Sequence, residues 1–423
     1  MRGPAWYRLV LATNALVHAT VYAVRPLATY RALDLHASAA GVGLVASTFA
    51  LFSLFMAVPA GRWVDRWGEP PFIFLGSALT AIGALAAGWA GSVSELAATQ
   101  ALLGLGHLLT VVASQALIAN RTDESIRDDR VGLYTVMASL GQLAGPALVG
   151  LVAGGAHGRA LQPAFVLTAA LTAAAAALAW PLARSAGPAP RAPGRAARPL
   201  AGIAQVARML RRPGMLPAML ASLTVLSSID ILGAYLPVLG ELRGLPVTVV
   251  GFLLSLRAAL SMVSRLFMAA LLRRFERGPL LFACMALPAL AVAALPWIPG
   301  VLGLGVAMAL AGLGLGLGQP LTMTWVANRA PREERGTALG VRLSGNRLGQ
   351  LIMPAMVGAV AGALGVAAIF WIVAATLLLT SAWVVRAPFG ERDAVTAAGG
   401  ARGPDGAAPG AARGRGGAGG PCA

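Results

Sequence analysis

Apolar runs of similar length recur along this chain, each broken by a short polar segment rich in arginine and glycine. A helix needs about 20 apolar residues to cross the hydrocarbon of a bilayer. Twelve runs fit that length, at 7–29, 41–60, 72–91, 95–117, 131–154, 163–183, 216–239, 247–271, 279–297, 300–326, 338–361 and 365–385. Strands of a membrane barrel would be about half as long, so the pattern predicts an all-α integral membrane protein of about twelve spans. The amino-terminal run has the look of a signal peptide but lacks a clear small-x-small cleavage site, and it reads as an uncleaved first helix.

The runs repeat as a set. LGQLAGPALVGLVAG, starting at Leu140, aligns without gaps to LGQLIMPAMVGAVAG, starting at Leu348, an offset of 208. Gly43 matches Gly251 at the same offset, and GLGHLLT from Gly104 matches GLGQPLT from Gly316 at 212. Matches in the same order imply two homologous halves in one orientation. The expected organisation is a six-helix half at 1–183, a linker rich in Pro, Ala and Arg at 184–215, a second half at 216–386, and a disordered Gly/Ala tail at 387–423.

Charge adds an orientation. The chain of 423 residues is 57% hydrophobic and only 12% charged, against about 25% charged in soluble domains. All 33 basic residues are arginine, and the net charge is +17, which in a soluble protein would point to nucleic acid. Here 25 arginines fall in alternate loops and the termini, whereas three, Arg31, Arg159 and Arg243, fall on the other side. Both termini are therefore expected in the cytoplasm, with the protein in the cell (inner) membrane. Cys284 lies in an apolar run and Cys422 in the tail, so there is no disulfide framework. His18, His36, His107, His157 and Cys284 form no catalytic or metal constellation, and no phosphate-binding G-x-x-x-x-G-K-S/T occurs. Neither an enzyme nor a cofactor or metal site is expected.

The second inside loop reads GRWVDRWG, Gly61 to Gly68. It resembles the G-x-x-x-D-R-x-G signature of the major facilitator superfamily (MFS), with Gly61, Asp65, Arg66 and Gly68 at the defining positions. The resemblance covers residues 7–386 and implies the two-bundle MFS fold, transport by alternating access, and a cytoplasmic latch at Asp65. The second half departs from the signature, since Arg273 stands where its repeat would place the Asp. Gly141, Gly145, Pro146 and Gly150 resemble the superfamily's antiporter signature, although Val149 replaces one glycine of its final pair. That pattern leans toward export, and close helix packing accounts for it as well. Gln100 stands where antiporters of the family often carry a span-four arginine, so the proton-relay role is not carried over.

Ionisable groups inside spans are costly and normally face a cavity or a partner. Asn14, His18, Tyr22 and Arg25 fall within an arc of about 80° on the first span. Arg257, Ser261, Ser264 and Arg265 share a face of the eighth span, and Arg342, Asn346 and Gln350 share one of the eleventh, with Arg347 beside them. Gln100, His107 and Ser114 form a stripe on the fourth. The resemblance implies that these faces line a central path. Arg25, Arg265 and Arg342 lie near span ends, where a guanidinium can also snorkel to the interface. Arg257 and Arg347 lie deeper. His18 and His107 are either packing residues or proton carriers. Asp230, with Ser227 one turn earlier, is either a proton site or the structural partner of Arg25 or Arg257. Arginine exceeds aspartate in the interior, which points to an anionic solute. The expected function is a secondary transporter, monomeric, proton-coupled, favouring efflux; uptake of an organic anion, or a transport-inactive sensor on the same fold, remain open.

Overall fold

The computed structural model describes residues 4–154, 161–184, 203–331 and 334–386. Arg159, His157, Cys422, most of the 184–215 linker and the 387–423 tail lie outside them. The described residues form fourteen helices: α1 (Ala5–Asp34), α2 (Ala39–Trp67), α3 (Pro70–Trp89), α4 (Val93–Asn120), α5 (Glu124–Ala153), α6 (Leu161–Arg184), α7 (Ile203–Leu210), α8 (Met215–Leu242), α9 (Val247–Leu266), α10 (Met268–Arg274), α11 (Arg277–Ala294), α12 (Val301–Arg329), α13 (Arg335–Leu364) and α14 (Ala367–Arg386).

Eleven of these are long and apolar enough to cross a membrane. The thirty-residue α1 is long enough, but Asn14, His18 and Arg25 lower its hydropathy and it falls outside that set. It packs against α5, α6 and α8, so its polar face meets protein. The eighth expected span, 247–271, is broken at Phe267 into α9 and α10, and no residue of α10 is buried. The short helix α7 sits in the expected linker. Tryptophans cluster at helix ends, where an aromatic ring with one polar edge suits the membrane interface. Trp89, Trp297 and Trp371 are exposed at one end of the bundle, and Trp63, Trp67, Trp180 and Trp383 at the other.

Two six-helix bundles repeat the same packing. In the first, α1 meets α5 and α6, α4 meets α2 and α3, and α3 meets α6; in the second, α8 meets α13 and α14, α12 meets α9 and α11, and α11 meets α14. Atomic contacts set the repeat at 208 residues throughout. A side chain at Gly104 would collide with the Phe49 carbonyl, and one at Gly312 with the Arg257 carbonyl. Ser53 Oγ donates to Gly104 O at 3.1 Å, and Ser261 Oγ to Gly312 O at 2.9 Å. Gly141 rests on Ala15 and Ala19, Gly349 on Leu223 and Ser227. The motif match at 212 is thus displaced by one helical turn: Gly104 corresponds in space to Gly312, not to Gly316.

The bundles meet tightly at the arginine-poor end. Gly43 of α2 lies on the Pro354 carbonyl of α13, and Gly251 of α9 on the Pro146 carbonyl of α5, the same contact in mirrored roles. Tyr235 Oη donates to Ala39 O and Pro354 O, both at 3.0 Å, and Thr248 Oγ1 to Gly150 O at 2.8 Å. Without a β-carbon, backbones approach until hydroxyls bridge them. Two of the arginines expected on the minority side have structural work here. Arg31 Nε and Nη2 donate to Ala90 O at 3.1 and 2.7 Å, at the end of α3. Arg243 does the same for Leu295, Pro296 and Ile298 beyond α11. A cation at a helix carboxyl end satisfies otherwise unpaired carbonyls.

A valine at position 251 must displace the Pro146 carbonyl. Gly251→Val is expected to cost about 1–3 kcal/mol of stability, read as a lower unfolding temperature of the purified protein, whereas Gly132→Ala, with open space around it, leaves that temperature nearly unchanged.

Candidate functional site

Asp230 stands on α8 midway along the second bundle's innermost helix and is 8% exposed. Its carboxylate is clamped from both halves: Arg25 Nη1 of α1 pairs with Oδ1, and Gln350 Nε2 of α13 donates to Oδ2. Arg347 Nη1 donates to Gln350 Oε1 at 2.8 Å, so the chain Arg25–Asp230–Gln350–Arg347 crosses the centre. The Arg25 guanidinium carbon lies 4.9 Å from the ring centres of both Tyr22 and Phe49, within cation–π range. A cavity of about 20 Å³ adjoins the clamp, lined by Arg25, Phe49, Gln100, Asp230 and Gln350 among others. That is room for about one water molecule.

Arg257 lies in the same field, in electrostatic reach of Tyr22, Arg25 and Asp230. It is 4% exposed and makes no hydrogen bond among the described residues, and its Nε is buried without an acceptor. Arg347 also senses Asp230, Arg25 and Tyr22. Arg25 thus pairs directly with one carboxylate, whose two oxygens are already engaged, and Arg257 and Arg347 lie in its longer-range field. The low-dielectric centre is left with uncompensated positive charge, an arrangement suited to an anion.

The first bundle contributes rings. His18 and His107 stand edge to face, 5.1 Å between centres, and the Phe49 ring is 5.7 Å from His107. His18 Nδ1 lies 3.0 Å from Asn14 O, whereas both ring nitrogens of His107 are buried without a partner. Gln100 Nε2, on the same α4 face, is also unpartnered among the described residues, whereas Ser114 faces the Tyr134 hydroxyl of α5. Asn14 points elsewhere: its Nδ2 donates to Tyr134 O of α5 at 2.8 Å. Of the residues expected on the path, His18, Tyr22, Arg25, His107, Asp230, Arg257, Arg347 and Gln350 come together, and Asn14 binds two helices to each other.

Arg342 and Asn346 belong to a second cluster, centred on a residue the sequence reading passed over. Gln319 of α12 accepts from Arg342 Nη2 at 2.7 Å and from Asn346 Nδ2 at 3.4 Å, and donates to Ser222 O at 2.6 Å. Gln319 lies in the repeated GLGQPLT motif, where its glycines drew attention and its amide did not. Arg265 does not reach out to an interface; it donates to Gly316 O at 2.9 Å and across the bundles to Ser139 Oγ at 3.0 Å. Arg342 likewise is buried and bonded.

The expected latch lies at the arginine-rich end. α2 closes at Gly68 with φ +87°, a conformation open to glycine, and Gly68 N–H donates to Val64 O at 2.9 Å. Asp65 is exposed and forms no ion pair among the described residues, and Arg66 lies over the Trp67 ring. Gly61 has open space around it. Neighbouring Glu69, also unnoticed in the sequence, is buried and accepts from Asn120 Nδ2 at 2.6 Å, tying this turn to α4. The antiporter-like motif serves contact: Gly141 and Gly145 lie on α1, Pro146 and Gly150 on α9.

The sequence model described as Major Facilitator Superfamily matches residues 10–341 and again 302–409. Multidrug resistance protein 1 of Bacillus subtilis is 29% identical over 120 residues, 28% of this chain and 31% of that protein. Methyl viologen resistance protein SmvA of Salmonella typhimurium is 33% identical over 106 residues, 24% of this chain and 21% of that protein. The alignments thus span a third or less of these relatives. Among solved structures, the nucleoside transporter NupG superposes with TM-score 0.73 at 15% identity, covering 90% of this chain and 98% of that one. The D-xylose–proton symporter gives 0.70 at 15%, covering 89% and 96%. At such identities the superpositions speak for the fold.

Gln319→Leu removes the side-chain acceptor of Arg342, leaving it the Gln319 carbonyl and Thr322 Oγ1, and is expected to cost about 1–2 kcal/mol, measured as loss of thermal stability. Gln319→Glu, which still accepts from Arg342, should recover most of it.

Proposed function

The chain belongs to the Major Facilitator Superfamily, and on that premise we propose that it is a secondary active transporter which exports a small anionic solute in exchange for protons. The observation that carries the anionic part is Arg257, a buried guanidinium with no hydrogen-bond partner among the described residues, within the field of a single, already clamped carboxylate. A carboxylate or phosphate entering beside Arg257 would satisfy donors that the protein leaves open.

Asp230 gives the proton reading its mechanism. Protonation removes the charge that holds Arg25, and the tie between α1 and α8 loosens. Since α1 and α8 belong to opposite bundles, a proton at Asp230 would bias the rocking of one against the other around a midplane site. The packed glycine contacts at the arginine-poor end correspond to one end of that cycle, closed on that side. With both termini in the cytoplasm, as the arginine distribution implies, the closed side would be the outer one. Export is favoured by the resistance names of the relatives and by the glycines of α5. Asp65 and Arg66 would latch the inner side in the opposite state.

A ligand-stabilisation screen of the purified protein with organic anions, sugars and cationic drugs, followed by transport of any hit in proteoliposomes, tests the proposal. Arg257→Gln and Arg347→Gln are each expected to weaken anion transport about 10-fold or more; normal rates in both would remove the anionic reading. Asp230→Asn is expected to abolish the response to a pH gradient while sparing solute counterflow. An unchanged response would leave Asp230 as a structural ion-pair partner only.

A further inference from the structure

The cavity of about 20 Å³ beside the Asp230 clamp is bordered by polar side chains of four helices: Arg25 and Thr29 of α1, Gln100 of α4, Asp230 of α8 and Gln350 of α13. A void of that size holds one water, which is stable where two to four polar groups bind it. Each Asp230 oxygen accepts one hydrogen bond, from Arg25 and from Gln350, out of about four that a carboxylate can accept. Thr29 Oγ1 donates to Ala234 O at 2.9 Å and keeps its lone pairs. Of these five residues, Gln100 alone has a buried polar atom without a partner among the described residues. It is 2% exposed, and the unmet atom is its donor Nε2. An unmet buried donor is costly, and a water in the cavity that Gln100 borders would meet it.

We infer that a single water held in this cavity by Gln100 is the relay through which Asp230 takes up and returns its proton. This rests on the proton reading of Asp230 proposed above and gives it a route. A proton arriving as hydronium breaks one O–H bond there and forms one on the Asp230 carboxylate; neutral water stays on Gln100, and Arg25 loses its counter-charge. Gln100 is a positioning residue, since its amide binds the water without adding a charge that would compete for Asp230. Thr29 and Ala234 each lie one turn beyond the clamp toward the end where Gly43 meets Pro354, so the relay stands on the arginine-poor side of Asp230. The other ionisable groups about Asp230 are Tyr22 on α1, Arg257 on α9 and Arg347 on α13, and His18 and His107 feel Arg25 and Arg347 in turn. α2, α12 and α14, which also pack on α8, carry ionisable residues only at their arginine-rich ends.

The test uses the full-length purified chain and needs no solute. X-ray radiolysis turns a bound water into hydroxyl radicals that oxidise the side chains beside it, and mass spectrometry reads the sites. Phe49 lines the cavity and is 3% exposed, so its oxidation reports the water; Phe165, 0% exposed in the same bundle, is the internal control. Phe49 is expected to be oxidised well above Phe165 in the wild type and to fall to the control level in Gln100→Met, which keeps the volume without the amide. Proton arrival is read as the carboxylic-acid infrared band that Asp230→Asn deletes, followed after a pH jump. Gln100→Met is expected to slow that band about 100-fold, the lower end of what a positioned proton carrier contributes. Gln100→Asn, which keeps an amide beside the cavity, should retain both the oxidation and the rate. Each variant's own unfolding curve reports whether it is folded. Phe49 oxidised no more than Phe165 in the wild type would overturn the water. An oxidised Phe49 with an unchanged rate in Gln100→Met would leave the water structural and overturn the relay. A wild type without any such infrared band across the accessible pH range would remove the proton reading itself, and the relay with it, while Phe49 still reports the water.

Discussion

A carboxylate buried inside a membrane protein needs donors from the protein, and at Asp230 two come from different helices. Arg25 comes from the first bundle, and Gln350 from the second. Because the charge must stay paired, α1 and α8 must stay adjacent while it is ionised. Tyr22 and Phe49 flank the Arg25 guanidinium, and Arg347 holds Gln350 in turn. Under the proposed proton coupling, removing the carboxylate's charge would release this one tie between the two bundles.

Around that clamp the remaining arginines divide by whether the protein satisfies them. Arg265 and Arg342 are bonded to carbonyls, a hydroxyl and an amide, and they hold helices together. Arg31 and Arg243 close helix ends. Arg257 is buried and makes no hydrogen bond among the described residues, and the proposal of an anionic solute rests on this difference in bonding, not on its depth alone. Guanidinium serves all these roles because its five donors can be spent on backbone carbonyls or kept for an anion.

The tight contact at the arginine-poor end depends on missing atoms. Gly43 and Gly251 let α2 reach α13 and α9 reach α5 at carbonyl distance, and the paired hydroxyls of Tyr235 and Thr248 make those approaches specific. A seal of small residues and single hydroxyl bonds is modest enough to open, which a transporter that alternates its access needs. The same glycines that resemble a transport signature are thus first of all packing residues.

The all-helical spans, the twofold repeat and the polar faces were written in the sequence, because lipid imposes a length on each span and burial cost restricts where polar residues can sit; the break of the eighth span at Phe267 and the short helix α7 were not. Asp230, Arg257, Arg347 and Gln350 could be named from that cost alone. What the sequence left open was which of them meet. The register of α12 against α4 was off by one turn, since a Gly-Leu-Gly repeated within a Gly-rich helix aligns equally well two ways and only the Phe49 and Arg257 carbonyls choose between them. Gln319 and Glu69 looked like ordinary polar residues until neighbouring helices brought Arg342 and Asn120 to them. Composition and period are properties of one helix at a time; pairing belongs to two, and only the tertiary structure decided it.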